Sequence, residues 1–277
     1  SNTQASNTAI SYSTVTDAQF TTPLAVNALQ PKRMLIGGTA SLYETLDFGY
    51  TISKIATIGV SSRAIVYGGR RNGIDNPDVL YVGFSNRVYA RTTTGGAVAA
   101  TTVLPAGAGI LKDIVINPTD WMNVFAIDDN QVFATADGGA TWSDITGGLL
   151  SGLSSVEITT IEFVSGASPY IAVGTRSGAF ASLLSNLGTW VELGASLPDV
   201  LVFELAYNAA DDVLAAATLG RGAWLLSDAS SAFVPSNVAP ILAMTGPTAA
   251  NEGSTQYTYS FTVSDPGDQF AVNGPAI

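Results

Sequence analysis

An all-β chain folded as a β-propeller is what this sequence predicts, and three observations carry the prediction. Five stretches share one pattern: an apolar strand, a turn holding Pro, Asn or Asp, a second apolar strand, a short polar loop and a closing aromatic. The closing aromatics Tyr43, Tyr89, Phe133, Phe180 and Trp224 recur at steps of 46, 44, 47 and 44 residues. Second-strand segments such as DVLYVGF, YIAVGT and DVLAAAT are continuously apolar instead of alternating, as expected of strands covered on both faces. A period of about 45 residues built from short strands, with no helical periodicity, points to four-stranded sheets arranged radially around an axis.

The elements follow in order. Residues 1–20 are an N-terminal segment in which residues 9–15, AISYSTV, read as an outer strand that closes the ring against the last blade. Residues 21–235 hold the propeller, with blades opening on PLAVNALQ, AIVYGGRR, DIVINPTD, TIEFVSGA and FELAYNAA. Five blades close as a five-bladed ring or belong to a ring of about six to eight. After Trp224 the stretch SDASSAFVPSNVAPILAM is rich in Ser, Pro and Ala, so a boundary falls near 236, with a linker and a partial β segment over 236–277. There Tyr257, Tyr259, Phe261 and Val263 alternate with Thr258, Ser260 and Thr262, the pattern of one strand.

Composition excludes several function classes. Charged residues make up 12% of the 277, and the net charge is −11, from 11 Lys and Arg against 22 Asp and Glu. Such a chain repels a phosphate backbone, so nucleic acid is not an expected partner. With no Cys there is no disulfide framework or thiolate zinc site, and with no His the commonest metal ligand and general base are missing. No apolar run approaches the roughly 20 residues of a membrane-spanning helix, so membrane insertion is not expected. The absence of an initiating Met and of a signal-like segment suits a processed secreted protein or a piece of a longer one.

One turn recurs. TADGGATW supplies Thr135, Asp137, Gly139, Thr141 and Trp142, and TLDFGYTI supplies Thr45, Asp47, Gly49 and Thr51 at the same spacing two repeats earlier. Decayed versions stand at RTTTGGAV from Arg91 and SLLSNLGTW from Ser182. A carboxylate that accepts turn N–H groups, a Gly free to take positive φ and a Trp wedged between sheets give each residue a structural task. The pattern resembles the Asp-box, or BNR, repeat of sialidases, sortilin-type receptors and xyloglucanase-like glycosidases, over roughly residues 21 to 235. That resemblance implies a propeller and not an activity, because the box lies on the rim, away from the binding face. The tail, through NEGS and SDPGD, resembles the opening of a PKD-like or cadherin-like domain of bacterial surface proteins, which implies an extracellular setting.

Ligands of propellers usually meet the turns between second and third strands. Those turns hold Gly38 to Ser41, then Ser85, Asn86 and Arg87, then Asp128, Asp129 and Asn130, then Arg176 and Ser177, and finally Arg221. Arg87, Arg176 and Arg221 stand at near-equivalent positions, like the arginine cluster with which sialidases grip a carboxylate, since a guanidinium fork pairs with it bidentately. The plainer reading makes each a bond to nearby carbonyls. The sialidase Arg-Ile-Pro signature is not found, and the adjacent Asp128 and Asp129 do not identify the facing carboxylates that glycosidases need. Asp75 and Asp78 are expected to pair with Arg70 and Arg71 in a solvated loop. Trp121 is expected either exposed, as a sugar or protein anchor, or packed under a loop. Glu252, Asp265 and Asp268 offer hard oxygens to calcium, short of the about six to eight a site needs, so no cofactor is expected.

The reading that follows is a non-enzymatic propeller module of an extracellular, bacterial surface protein, serving adhesion or assembly through protein or glycan contacts. The C-terminal strand, completing another subunit's sheet, is its candidate route to a homo-oligomer. The alternatives are a sialidase-like or xyloglucanase-like glycoside hydrolase, which requires two facing acids at the mouth, and a lectin-like propeller using Trp121 or the mouth arginines.

Overall fold

The computed structural model describes residues 14–151, 157–194, 197 and 199–232, together with the backbone of two strands, Ile241–Thr245 and Ser260–Ser264. It is an all-β propeller in which the described residues form five blades, the first four four-stranded and antiparallel. Blade 1 is β1(Leu24–Val26), β2(Met34–Gly37), β3(Leu42–Thr45) and β4(Ser53–Ala56). Blade 2 is β5(Ile65–Arg71), β6(Ile74–Phe84), β7(Arg87–Arg91) and β8(Ala99–Ala100). Blade 3 is β9(Asp113–Asn117), β10(Asp120–Ile127), β11(Val132–Thr135) and β12(Ser143–Asp144). Blade 4 is β13(Ile158–Val164), β14(Tyr170–Thr175), β15(Gly178–Leu183) and β16(Val191–Leu193). Blade 5 is β17(Val202–Asn208), β18(Val213–Thr218) and β19(Gly222–Ser227), followed by one short helical turn, α1(Ala229–Ala232).

The expected four strands are present in blades 1 to 4, and blade 5 has three among the described residues. The closing aromatics lie on third strands at matching register, Tyr43 opposite Ile36, Tyr89 opposite Val82, Phe133 opposite Ala126, Phe180 opposite Val173 and Trp224 opposite Ala216. Inner strands pack side by side, β1 on β5, β5 on β9, β9 on β13 and β13 on β17. The longest hairpin, β5–β6, also touches blade 3 through a bridge between Arg71 and Asp120, so those two blades share a continuous sheet.

Each seam between blades has its own apolar cluster. Leu35, Ile65, Leu80 and Val82 fill the first, and Val79, Val88, Leu111 and Phe133 the second. Phe125, Ile127, Ile161 and Ile171 fill the third, and Ala172, Leu205, Leu214 and Ala216 the fourth. β14 is buried at all six positions, as expected of a strand covered on both faces. β18, read from DVLAAAT in the same way, departs from that expectation: Leu214 and Ala216 are buried while Ala217 is exposed. The cause lies beyond the strand itself. One face of blade 5 packs on blade 4, and the other leaves Phe203 48% and Leu225 71% exposed. On blade 1 the corresponding uncovered side shows Leu24 and Val26 at 53% and 52%.

The tail strand expected near 257–263 is β21(Ser260–Ser264), and it pairs antiparallel with β20(Ile241–Thr245), Phe261 opposite Met244. The expected ring-closing strand at 9–15 and the oxygen ligands Glu252, Asp265 and Asp268 fall wholly or mainly outside the described residues. No described helix is long and apolar enough to cross a membrane.

Candidate functional site

The two Thr-Asp-Gly turns have the same hydrogen bonds. Asp137 accepts the backbone N–H of Thr141 at 2.8 Å, its hydroxyl at 2.6 Å and the hydroxyl of Thr135 at 2.7 Å. Asp47 accepts the same three groups from Thr51 and Thr45 at 2.8, 2.6 and 2.9 Å. In each turn the first threonine hydroxyl also accepts the N–H of the central glycine, Gly139 or Gly49. The Thr141 hydroxyl leads the donors that pull the Asp137 carboxyl down to about 2. Trp142 carries the turn onto the preceding blade, its Nε1–H donating to Thr101 Oγ1 at 3.2 Å, while Thr102 bonds the Gly139 and Ala140 carbonyls. Both carboxylates are used up within their own turns.

What differs between the twin turns is their outer surface. Where the second turn has Ala136, Gly138 and Ala140, the first has Leu46, Phe48 and Tyr50, at 51%, 61% and 69% exposure. Phe48 takes φ 62, a left-handed conformation that bulky residues rarely adopt. Aligning TLDFGYT with TADGGAT makes this substitution visible in the sequence.

At the mouth, the residues expected to converge on a ligand are dispersed. Arg87, half-buried on β7, donates to the Thr101 carbonyl at 3.1 Å. Asp128 is buried and caps its own turn, accepting from Asn130 and Gln131 N–H at 2.7 Å each and from Gly109 N–H at 2.6 Å. Asp129 pairs with Lys112, which also holds Glu157 at 2.7 Å, and Glu157 in turn pairs with Arg176. Arg221 is exposed in the β18–β19 turn. Trp121 is half-buried on β10, with the Arg71 guanidinium stacked over its ring at 5.7 Å, so it is packed rather than displayed.

Arg63, just before β5, was not singled out by its sequence. Its guanidinium spans the mouth to donate to the carbonyls of Thr159 at 2.8 Å and Phe203 at 3.1 Å, and pairs with Glu204. Two other acids line the inner strands. Asp113 accepts the N–H of Ile161 at 3.1 Å and the hydroxyl of Thr160 at 3.0 Å from blade 4. Glu162 accepts the N–H of Tyr207 from blade 5 at 3.4 Å. Burial pushes Asp113 up to about 6 and Glu162 up to about 7, and raises Glu204. Raised carboxyls in a channel are a catalytic signature only when they face open space. Each of these two accepts a backbone N–H from the next blade.

The expected pairing of Arg70 with Asp75 is present at 2.6 Å. Arg71 instead meets Asp120, because β5 reaches blade 3 there, and Asp78 turns inward to Arg33. Arg33, Glu44, Asp78 and Arg91, with Tyr67, form a buried network across the first seam. Among the described residues, no three acids are placed to hold a metal ion.

The fold is that of solved propellers. An ancestral GH74 enzyme superposes with a TM-score of 0.54 and 12% identity, over 70% of this chain and 28% of its own. The extracellular domain of the one-component system BT4673 from B. thetaiotaomicron superposes with a TM-score of 0.51 and 11% identity, over 76% of this chain and 27% of its own. The chain thus spans little more than a quarter of either protein. No family model and no curated protein matches it.

Proposed function

We propose that this chain is a non-enzymatic contact module, an Asp-box propeller of an extracellular or cell-surface protein that adheres or assembles through the blade-1 turn. The observation that carries the reading is the trio Leu46, Phe48 and Tyr50, set on a rigid, fully hydrogen-bonded turn whose twin bears only Ala and Gly. Exposed aromatics on a rigid support form contact hot spots, because little side-chain freedom is lost on binding. A Phe held at positive φ adds a local cost that packing among the described residues does not explain. Two of the three side chains are hydrocarbon, so an apolar protein pocket suits them better than a sugar ring with its many hydroxyls. The mouth supports the same reading, since Arg63 with Glu204, and Lys112 and Arg176 with Asp129 and Glu157, neutralise one another there. An extracellular setting agrees with the acidic composition and the tail resemblance, and one propeller of like fold is an extracellular domain.

The test compares the chain with the triple variant Leu46→Ala, Phe48→Gly, Tyr50→Ala, which copies the twin turn. Labelled protein is titrated onto intact bacterial cells, and both proteins are incubated with chromogenic glycosides. Saturable binding by the parent, weakened about tenfold or more in the folded variant, supports the proposal. Equal binding by the two, or glycoside turnover by either, sinks it.

A further inference from the structure

We infer, on the contact role proposed above, that the blade-1 turn takes an acidic protein segment, one that sets carboxylates on Lys32 and Lys54 and apolar side chains on Leu46, Phe48 and Tyr50. The twin turn of blade 3 is an internal reference. The two turns share their hydrogen bonds, so their differences lie in what they present.

Two of those differences flank the apolar trio. In blade 1 the Phe48 N–H donates to the carbonyl of Lys32 at 2.7 Å, whereas in blade 3 the Gly138 N–H donates to the carbonyl of Met122 at 3.0 Å. The outer strand continues the contrast. The residue opposite the closing aromatic is Lys54 in blade 1, against Ala100 in blade 2, Asp144 in blade 3 and Glu192 in blade 4. A position that is neutral or acidic elsewhere is cationic in the blade whose turn bears Phe48 and Tyr50. The blade-1 turn thus has Leu46, Phe48 and Tyr50 with two lysines, where its twin has Ala136, Gly138 and Ala140 with Met122 and Asp144.

Both ammonium groups are free to meet a partner. Lys32 and Lys54 are exposed, and among the described residues neither pairs with a carboxylate. The chain's third lysine, Lys112, is held by Asp129 and Glu157. Acids close to the turn are occupied, Asp47 by the turn itself and Glu44 by Arg33 and Arg91 in the buried network. Unpaired cations beside an apolar patch select their partner by complementary charge. The amount of charge then decides the class. Nucleic acid or an anionic membrane brings many phosphates to a chain of net charge −11, and two ammonium groups do not offset that repulsion. A second copy brings the same excess of its own. A short segment brings only the carboxylates that the lysines can meet, and its apolar side chains fill the rest of the surface.

The test is selection of phage-displayed random peptides on the immobilised intact chain, with the folded triple variant Leu46→Ala, Phe48→Gly, Tyr50→Ala as counter-target. Acidic docking predicts enriched peptides that combine Asp or Glu with Leu, Ile or aromatic residues. A synthetic copy of one such peptide should bind the folded variant Lys32→Met, Lys54→Asp, which copies the twin, at least about fivefold more weakly than the parent at low salt. That gap should close in about 0.5 M NaCl, where screening shortens the reach of surface charge. Enriched peptides without acids, or equal binding by the lysine variant, overturn the inference and leave the contact role standing. No enrichment over the triple variant overturns it too, while the cell titration decides the contact role separately. Lysine-dependent binding to phosphatidylglycerol vesicles, or a dimeric mass that the lysine variant loses, also overturns it, because the partner is then a lipid surface or a second copy.

Discussion

Phe48 and Gly138 occupy the same place in two turns with the same hydrogen bonds, Phe48 at φ 62 and Gly138 at φ 71. The left-handed region costs an L side chain roughly 1–2 kcal/mol, which glycine does not incur. Phe48→Gly is therefore expected to raise stability, by about 1 kcal/mol once the greater unfolded-state freedom of Gly is subtracted. That corresponds to a melting temperature higher by roughly 2–4 °C in a domain of this size. The same variant is expected to lose cell binding. A fall in melting temperature would show instead that the Phe48 ring packs in the folded chain.

The acid limb of stability is expected to depend on Asp137. Its carboxyl is held at about 2 by the Thr141 hydroxyl and N–H and the Thr135 hydroxyl, below the ordinary 3.8. A depressed folded value means that the unfolded chain binds the proton first, so the contribution is present above pH 3.8 and lost as pH falls towards 2. Asp137→Asn should flatten unfolding curves in that window and leave cell binding unchanged. If binding to cells falls in step with Asp137→Asn while the fold is kept, the turn is a ligand site and not a brace.

Glu162 has the opposite sign. Burial raises its carboxyl from 4.5 to about 7, so the folded chain holds the proton more tightly than the unfolded one. Stability is then fullest below pH 4.5 and declines as pH rises through 7. Glu162→Gln keeps an oxygen for the Tyr207 N–H and removes the ionisation. The variant is expected to be more stable than the parent at pH 8, by about 1–2 kcal/mol, with the two converging near pH 4. Urea unfolding at the two pH values measures the difference.

Much of this molecule is legible in its sequence because the repeat is local. The step between closing aromatics, the apolar second strands and the turn at Asp137 each depend on residues within one blade, and each stands where the pattern puts it. What the sequence conceals lies between blades. Arg63 reaches Thr159 and Phe203, separated from it by two and three repeats, and no spacing rule announces a guanidinium that crosses an axis. Arg87, Arg176 and Arg221 align in the repeat yet meet different partners, because the partners sit on neighbouring blades with different sequences. β18 looked doubly covered, like β14, since a strand's own residues do not state whether the next blade is there.

The first seam gives the sharpest stability test. Glu44 receives Arg91 Nη2 at 2.6 Å, Arg33 Nη2 at 3.3 Å and the Tyr67 hydroxyl, with all four groups nearly out of solvent. Burial pushes the Glu44 carboxyl up, and the Arg91 and Tyr67 donors outweigh it and hold the group below its ordinary value. Truncating it leaves two guanidinium groups facing each other with Asp78 as their remaining carboxylate neighbour in the network. Breaking a buried ion pair from one side costs about 3–5 kcal/mol, because the abandoned charge stays desolvated. Glu44→Ala is expected to fall in that range, and Arg91→Met to cost a similar amount. The double variant should cost well under the sum, since neither charge is then stranded. Additive losses in urea unfolding would mean that the two side chains act independently and that apolar packing, with Leu35 and Leu80, holds blades 1 and 2 together without them.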